Sequence, residues 1–384
     1  MNKKILITTG IFPPDIGGPA SYVVRLASEF TEKGYQVEVV TYGEEEKDEE
    51  YDFSVRRVSR KKKLPFRYFS YFLQVLLAGR DASVVYAQCP VSSGWSASWA
   101  AKILRKKFIL KIVGDYAWEQ ARNIFEIEDS LDDFQKKSYS GKIAQLRKIQ
   151  KKTAQRAQAI IVPSLYLKSI VQDWGIDQSK IKVVYNAIEE NPLVKKINQQ
   201  EAKERTGLWE DIILSIGRLV PWKGFDVLID SFSEILEKNP NFRLVIIGSG
   251  PQKENLIFKI KNKGLKGKVL ILDPLPHSEL VWYMKAADMF VLNTSYEGLP
   301  HIILEAMQCG LPIITTRVGG NLEIIENEQN GLLIEPNQKD QITRAILRIW
   351  QSHQLKYQLT KNASLSLDEF SFDKMINQTL EILL

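Results

Sequence analysis

A basic loop framed by glycines is the segment of this sequence whose residue types and spacing are best suited to chemistry. It reads Gly217-Arg218-Leu219-Val220-Pro221-Trp222-Lys223-Gly224 and supplies two cations where glycines let a backbone come close to a ligand. Guanidinium and ammonium groups bind phosphate oxygens, so the loop indicates a diphosphate site. Taken alone, it is equally well a surface turn with exposed cations.

A pair of glutamates, Glu297 and Glu305, lies eight residues apart on either side of a predicted helix start at Pro300. Proline suits the first helical position, so the N–H groups of residues 301–303 are expected to point at an anion. The two carboxylates can accept hydrogen bonds from sugar or ribose hydroxyls beside that anion. The other candidate ligand-binding residues of this element are Gly298, Leu299, His301 and Ile302. With the basic loop, the element predicts a site for a nucleotide-activated sugar.

Both glutamates also have a purely structural interpretation. Glu297 would compensate the dipole of the following helix, and Glu305 would be one more solvated helix residue. Glu305, however, stands among apolar neighbours, and a carboxylate there needs a partner. A ligand hydroxyl is the partner that we expect.

Two further glycine loops follow predicted strands. Gly17-Gly18-Pro19-Ala20 opens the first predicted helix, and Gly248-Ser249-Gly250-Pro251 follows a strand predicted at Arg243–Ile247. Such positions bind phosphate or sugar, although each loop by itself is a weak signal. Neither loop is a complete G-x-G-x-x-G motif with a trailing acid, which disfavours a dinucleotide-dependent oxidoreductase.

The elements that must position these residues form an α/β pattern. Short β-branched runs alternate with helical patterns, which predicts parallel sheets with helices on both faces. The 384 residues suit two doubly wound domains facing a cleft, with ligands at the carboxyl ends of the strands. The pattern lapses in a polar stretch, residues 189–201, which suggests a hinge. The predicted strands are Ile5–Thr8, Val37–Thr41, Val84–Ala87, Phe108–Val113, Ala159–Pro163, Lys182–Tyr185, Ile212–Ile216, Arg243–Ile247, Val269–Leu272, Met289–Asn293 and Pro312–Thr315.

Composition narrows the class further. The first 190 residues carry 30 Lys and Arg against 23 Asp and Glu, and the remainder carries 22 against 23, so the positive field lies in the N-terminal half. Cys89 and Cys309 are far apart, which favours a reducing cytosol. No Asp-x-Asp pair or histidine spacing suits a metal, and no stretch is long and apolar enough to span a bilayer.

A basic segment, Arg56 to Lys63, runs directly into an aromatic stretch, Leu64 to Phe72. Residues 56–72 therefore suit an anionic membrane surface or a lipid-phosphate acceptor. The alternative is a solvated loop before a helix whose aromatic side chains belong to the core.

As a set, these motifs resemble family 4 of the retaining glycosyltransferases, which have the GT-B fold. The resemblance covers nearly the whole chain, and it is highly specific because further motifs belong to it. These are Asn186, Cys309-Gly310-Leu311-Pro312, Gly319-Gly320 with Glu323, and an apolar last helix after Phe370-Ser371-Phe372. The family implies two Rossmann-like domains, with the last helix crossing back to the first.

The resemblance also implies roles. Residues 1–190 with about 366–384 would bind the acceptor, and residues 191–365 the nucleotide sugar. Arg218 and Lys223 would bind the diphosphate, Glu305 the ribose and Glu297 the transferred sugar. The donor site would further involve the backbone at Leu275 for the base and the glycines Gly17, Gly18, Gly217, Gly248 and Gly250. No metal or cofactor would be required.

One departure from the family concerns a histidine that many members carry near the donor sugar. The corresponding segment here reads Val113-Gly114-Asp115-Tyr116. Asp115 would take over a sugar contact, and it joins Arg218, Lys223 and Glu297 as a candidate catalytic residue.

The predicted function is transfer of a hexose from a nucleoside diphosphate sugar to an acceptor hydroxyl with retention. The acceptor would be a glycan or glycolipid of the bacterial cell envelope, and the enzyme would be cytoplasmic, with residues 56–72 as its candidate contact with the inner face of the membrane. One alternative is another activity on the same architecture, such as a nucleotide-sugar epimerase. Another is a polyanion-binding protein, although the sequence has no nucleic-acid motif.

Overall fold

The computed structural model describes residues 3–15, 18–44, 51–125, 127–188 and 190–384. The chain divides into two compact units. The N-terminal unit comprises residues 1–185 and 373–384, and the C-terminal unit comprises residues 186–372.

The N-terminal unit is built on a parallel sheet of seven strands in the order β3-β2-β1-β4-β5-β6-β7. The strands are β1 (Lys4–Thr8), β2 (Gln36–Tyr42), β3 (Ser54–Val58), β4 (Val84–Ala87), β5 (Lys107–Lys111), β6 (Ala159–Val162) and β7 (Ile181–Val183). The helices are α1 (Gly18–Glu32), α2 (Leu64–Ala78), α3 (Gly94–Leu104), α4 (Tyr116–Ile124), α5 (Leu131–Lys136), α6 (Gly141–Arg156) and α7 (Leu165–Asp173). The strand order reverses between β1 and β4.

The C-terminal unit repeats this design with six parallel strands in the order β10-β9-β8-β11-β12-β13. The strands are β8 (Asp211–Ile216), β9 (Phe242–Ile247), β10 (Val269–Leu272), β11 (Met289–Leu292), β12 (Ile313–Thr316) and β13 (Leu332–Ile334). The helices are α8 (Pro192–Lys196), α9 (Gln199–Thr206), α10 (Phe225–Lys238), α11 (Lys253–Asn262), α12 (His277–Ala286), α13 (His301–Gln308), α14 (Asn321–Ile324), α15 (Lys339–Gln351) and α16 (His353–Ser366). Here the order reverses between β8 and β11.

The last helix, α17 (Phe372–Leu383), belongs to the N-terminal unit from residue 373 onward. Lys107 at the start of β5 donates a hydrogen bond to the carbonyl of Ile382 at 2.9 Å. Three single-turn 3-10 helices, Gln178–Lys180, Pro221–Lys223 and Leu367–Phe370, complete the described elements.

The α/β prediction is confirmed, because the central strands are buried on both faces as their unbroken apolar runs require. Two strands were not predicted, and both lie at sheet edges. In β3, two consecutive arginines, Arg56 and Arg57, interrupt the apolar residues, and the exposed Arg56 forms an ion pair with Glu38 of β2. In β13, only three residues pair. The predicted solvated loop therefore begins after Val58, because Arg56 and Arg57 are strand residues.

The polar stretch predicted as a hinge is largely helical. Asn191 caps α8, and Asn198 forms a capping box with Glu201 at the start of α9. The buried residues Ile197 and Ala202 then pack against α12 in the C-terminal unit. Glu189 lies outside the described residues.

Candidate active site

Both predicted donor elements start at the switch point of the C-terminal sheet. The basic loop leaves the end of β8 and the glutamate element leaves the end of β11, and these two strands are neighbours. The carboxyl ends of parallel strands at a reversal of strand order form the usual ligand-binding crevice of such sheets. The fold thus brings together two segments that are about 75 residues apart.

The basic loop packs its apolar side chains into the protein and exposes the cation Arg218. Leu219, Val220 and Trp222 are buried, and Pro221–Lys223 forms a single 3-10 turn. The Leu219 N–H donates to the Ser249 carbonyl at 2.8 Å, so the turn after β9 supports the loop. Arg218 is exposed at the surface of this rigid support.

Backbone carbonyls of the basic loop hold the glutamate element in place. The Trp222 carbonyl accepts hydrogen bonds from the Ser295 N–H at 2.7 Å and from the Thr294 hydroxyl at 3.1 Å. The Asn293 amide donates to the Gly224 carbonyl at 2.9 Å and to the Asn337 Oδ1 at 3.0 Å. Asn293, Thr294 and Asn337 are positioning residues that the sequence analysis missed, because amides and hydroxyls in loops give no distinctive pattern.

The central contact of the site is an ion pair between Lys223 Nζ and Glu297 Oε1. The two side chains are only 15% and 11% exposed, so each charge depends on the other for compensation. The Gly320 N–H donates to the Glu297 carbonyl at 3.0 Å and fixes the backbone beneath the carboxylate. Two predicted site residues of opposite charge therefore meet in a largely desolvated position.

Helix α13 differs in detail from the prediction. It begins at His301, and Pro300 is its cap residue rather than its first helical residue. The Ile303 N–H donates to the Pro300 carbonyl at 3.2 Å. The expectation that the N–H groups of residues 301–303 all point at an anion is therefore wrong for Ile303. Ile302 is half-buried, as is His301, at the start of the helix.

Glu305 has a protein partner, which the sequence analysis did not foresee. Its Oε2 lies 3.8 Å from Nδ1 of His277, the first residue of α12, and the side chain is half-buried. His277 Nε2 in turn lies 3.4 Å from the Asn191 amide. The apolar neighbours of Glu305 thus do not by themselves require a ligand.

The glycines at the ends of β8 and β9 serve packing. A Cβ at Gly248 would lie 1.9 Å from the Gly217 carbonyl oxygen, and one at Gly250 would lie 2.4 Å from the Leu219 carbonyl oxygen. A Cβ at Gly217 would meet only side-chain atoms at 3.7 Å, an ordinary contact. The predicted role of Gly217 in admitting a ligand stays a prediction, whereas Gly248 and Gly250 are already explained within the protein.

Gly298, Leu299 and Leu275 border the same edge of the sheet. A Cβ at Gly320 would lie 2.1 Å from the Gly298 carbonyl oxygen, and the Asn186 amide donates to the Leu299 carbonyl at 3.4 Å. Leu275 is half-buried in the segment after β10. The predicted contact of its backbone with a base stays a prediction.

The remaining candidates belong to the N-terminal unit. Gly17 lies outside the described residues, and Gly18 is the first residue of α1. Asp115 caps α4 and is fully buried. Its carboxylate accepts hydrogen bonds from the Trp118 N–H at 3.0 Å and from the Gln135 and Gln150 amides at 2.9 Å each. These contacts account for Asp115 without a ligand, and its predicted sugar contact stays a prediction.

Lys111, at the end of β5, is a buried lysine that the sequence analysis did not single out. Within the described ranges its ammonium has no hydrogen-bond partner, and it lies 3.6 Å from the centre of the Tyr22 ring. Burial alone lowers the pKa of Lys111 to about 7. The folded protein therefore holds this lysine largely neutral at pH values where the unfolded chain protonates it.

We expect Lys111→Met to raise stability most at pH 7 and below, where the cost of burying this lysine is largest. Between the folded pKa of about 7 and the usual value of 10.5, the unfolded state binds more protons, so wild-type stability rises with pH. The advantage of the variant should accordingly shrink by about 1.4 kcal/mol for each pH unit from 7 to 10. Urea unfolding of both proteins at several pH values measures this difference, and a constant difference would contradict a neutral Lys111.

Among the described residues, no group of three histidine, cysteine or carboxylate side chains is placed to hold a metal ion. Within the same residues, no helix combines the length and apolar character needed to cross a bilayer.

Comparison with known proteins agrees with this geometry. Residues 16–191 match the family model described as Glycosyltransferase Family 4, and residues 196–365 match Glycosyl transferases group 1. An uncharacterised glycosyltransferase of Methanocaldococcus jannaschii is 30% identical over 60% of each chain. The Escherichia coli UDP-Gal:alpha-D-GlcNAc-diphosphoundecaprenol alpha-1,3-galactosyltransferase is 31% identical over 47% of each chain. The matches thus span about half to three-fifths of these relatives' length.

Among solved structures, Anabaena HepE in complex with UDP-glucose superposes with a TM-score of 0.81 at 19% identity, over 99% of each chain. The two parallel sheets with alternating helices are the GT-B fold that the resemblance predicts. This chain belongs to glycosyltransferase family 4.

Proposed function

We propose that this protein transfers a hexose from a nucleoside diphosphate sugar to an acceptor hydroxyl with retention of configuration. The observation that carries the proposal is the desolvated Lys223–Glu297 pair at the switch point of the C-terminal sheet. A cation for the diphosphate and a carboxylate for the sugar stand in contact there, with Arg218 exposed on the same loop.

The chemistry that these residues supply is electrostatic. Arg218 and Lys223 would stabilise the negative charge that builds up on the departing diphosphate. Lys223 would then exchange its contact with Glu297 for one with phosphate, which leaves the carboxylate to accept hydrogen bonds from the sugar. Glu305 would accept hydrogen bonds from the ribose. A departing phosphate oxygen would take the acceptor proton on the same face, so no side-chain base is assigned.

The comparisons suggest which substrates to try first. A structural neighbour binds UDP-glucose, and one relative uses UDP-Gal with a diphosphoundecaprenol acceptor. We therefore propose UDP as the first nucleotide to test and a cell-envelope glycan or glycolipid as the acceptor class. The proposed reaction uses no metal ion or further cofactor.

Thermal unfolding with UDP, GDP, ADP and their hexose derivatives tests the donor site. A ligand that binds only the folded state at 100 times its dissociation constant stabilises it by about 2.7 kcal/mol. One nucleotide should raise the melting temperature of wild type, and Glu305→Ala should lose most of that shift.

Glu279→Ala is the matched control, because Glu279 lies in the same unit and its ion pair with Arg205 is at the surface. It should keep the full shift. No shift of folded wild-type protein with any donor, or equal shifts in the two variants, would contradict the assigned donor site.

We also propose that the basic segment at Lys61, Lys62 and Lys63 binds an anionic membrane surface. All three side chains are exposed just before α2. Each lysine near such a surface contributes about 1 kcal/mol. Changing all three to serine should therefore abolish most sedimentation with anionic liposomes at low salt. Equal sedimentation of variant and wild type, or none by wild type, would remove the proposal.

A further inference from the structure

We propose that a groove between α2 and α3 holds part of the hydrocarbon chain of a lipid-linked acceptor. That the bound lipid is the acceptor of the reaction rests on the proposed function. Binding of the hydrocarbon chain is measured independently of that function.

The first observation is the exposed apolar stripe of α2. Phe66, Phe69, Leu73 and Leu77 lie three or four residues apart on one helix face, and each is exposed. Phe66 is 67% and Phe69 58% exposed. The opposite face buries Tyr71 and other core residues. The alternative that the aromatic side chains of this helix belong to the core is therefore wrong for Phe66 and Phe69. Contiguous exposed apolar surface marks a binding site.

The second observation is the shape of the surface beside this stripe. The open groove has a volume of about 290 Å3, at the lower end of the range for small-ligand sites. Its apolar and aromatic lining comes from Tyr68, Phe69, Phe72, Trp95, Trp99 and Ile103. The lining hydroxyl of Ser96 already lies 3.4 Å from the Tyr68 carbonyl. A groove with so few polar groups to satisfy suits a segment of alkyl or isoprenoid chain.

The two tryptophans that line the groove contact the same guanidinium group. The Arg156 guanidinium lies 4.0 Å from the Trp99 ring centre and 4.6 Å from that of Trp95. The two rings are nearly perpendicular, with centres 6.1 Å apart. Cation–π contacts of this kind fix both rings, so the groove is formed before a chain arrives.

Charge favours an anionic lipid over a protein helix as the occupant. Lys61, Lys62 and Lys63 stand at the start of α2, and Lys102 and Arg105 are exposed beside Ile103 at the end of α3. Cations at both ends of an apolar groove match a hydrocarbon chain that carries a phosphate.

The test uses decyl phosphate below its micellar concentration, with a photoreactive group at the end of the chain. Cross-links in wild type should map to residues 66–103. Phe69→Lys/Ile103→Lys should weaken binding at least tenfold. Ile124→Lys/Leu165→Lys is the matched control, because it also replaces two exposed apolar residues of this unit and adds two charges. It should bind like wild type.

Equal affinity of the two double variants, cross-links elsewhere, no binding by wild type, or full competition by inorganic phosphate would each overturn the proposal. The nucleotide thermal shift is recorded on the same samples. Chain binding without any nucleotide shift would leave the groove standing and count against the proposed function, and the reverse result would remove the groove alone.

Discussion

Replacing Lys223 by alanine is expected to lower turnover by about 100-fold and to destabilise the C-terminal unit by about 3 kcal/mol. The loss of turnover follows, on the proposed function, from removing the cation that we assign to the diphosphate. The loss of stability follows from leaving the Glu297 carboxylate desolvated without its partner. Release of nucleotide from the donor and calorimetric melting measure the two effects.

Two further variants separate the catalytic part from the structural part. Lys223→Met with Glu297→Gln removes both charges at nearly constant shape, so it should melt close to wild type while turnover stays low. Arg218→Ala should lower turnover at least tenfold with little change in melting, because Arg218 is exposed. Lys339→Ala breaks an exposed ion pair with Glu234 in the same unit and is the control for both measurements. Near-normal turnover in the Lys223 and Arg218 variants would contradict the diphosphate assignment.

The sequence predicts those features of the structure that depend on neighbouring residues in the chain. It does not predict those that depend on contacts between distant segments. Val84–Ala87 and Val269–Leu272 are short apolar strands, and the structure has them at the predicted bounds. The edge strand Ser54–Val58 lacks an unbroken apolar run, because Arg56 and Arg57 interrupt it. Arg56 is accommodated by its ion pair with Glu38 on the neighbouring strand. A charged residue in a strand shows its partner only in three dimensions.

The site divides along the same line. Arg218, Lys223 and Glu297 are detectable because charged residues beside glycine and proline are chemically distinctive. The contact between Lys223 and Glu297 cannot be detected in the sequence, since it depends on β8 and β11 being neighbours in the sheet. Asn293 and Asn337 bond each other across 44 residues, and the His277–Glu305 contact likewise joins two helices. Tertiary pairing of this kind decides whether a polar residue needs a ligand.

Gly248→Ala is expected to destabilise the C-terminal unit by about 3 kcal/mol, within the range for forcing atoms into packed space. The added carbon would meet the Gly217 carbonyl, which is backbone, so no side-chain rotation relieves the clash. The ends of β8 and β9 would have to separate, and Leu219 would lose its hydrogen bond to Ser249. Arg218 would move with this loop, so nucleotide affinity should fall as well.

Gly217→Ala is the matched variant for stability, because its added carbon meets only side-chain atoms at 3.7 Å. Hydrogen exchange of peptides covering residues 211–250 should accelerate in Gly248→Ala and stay near wild type in Gly217→Ala. If a glycine is needed at position 248 only to let a ligand approach, Gly248→Ala will keep the hydrogen-exchange rates of wild type and lose only nucleotide binding. The two measurements therefore separate a glycine required by the fold from one required by the ligand, a distinction that the shared glycine motif cannot make.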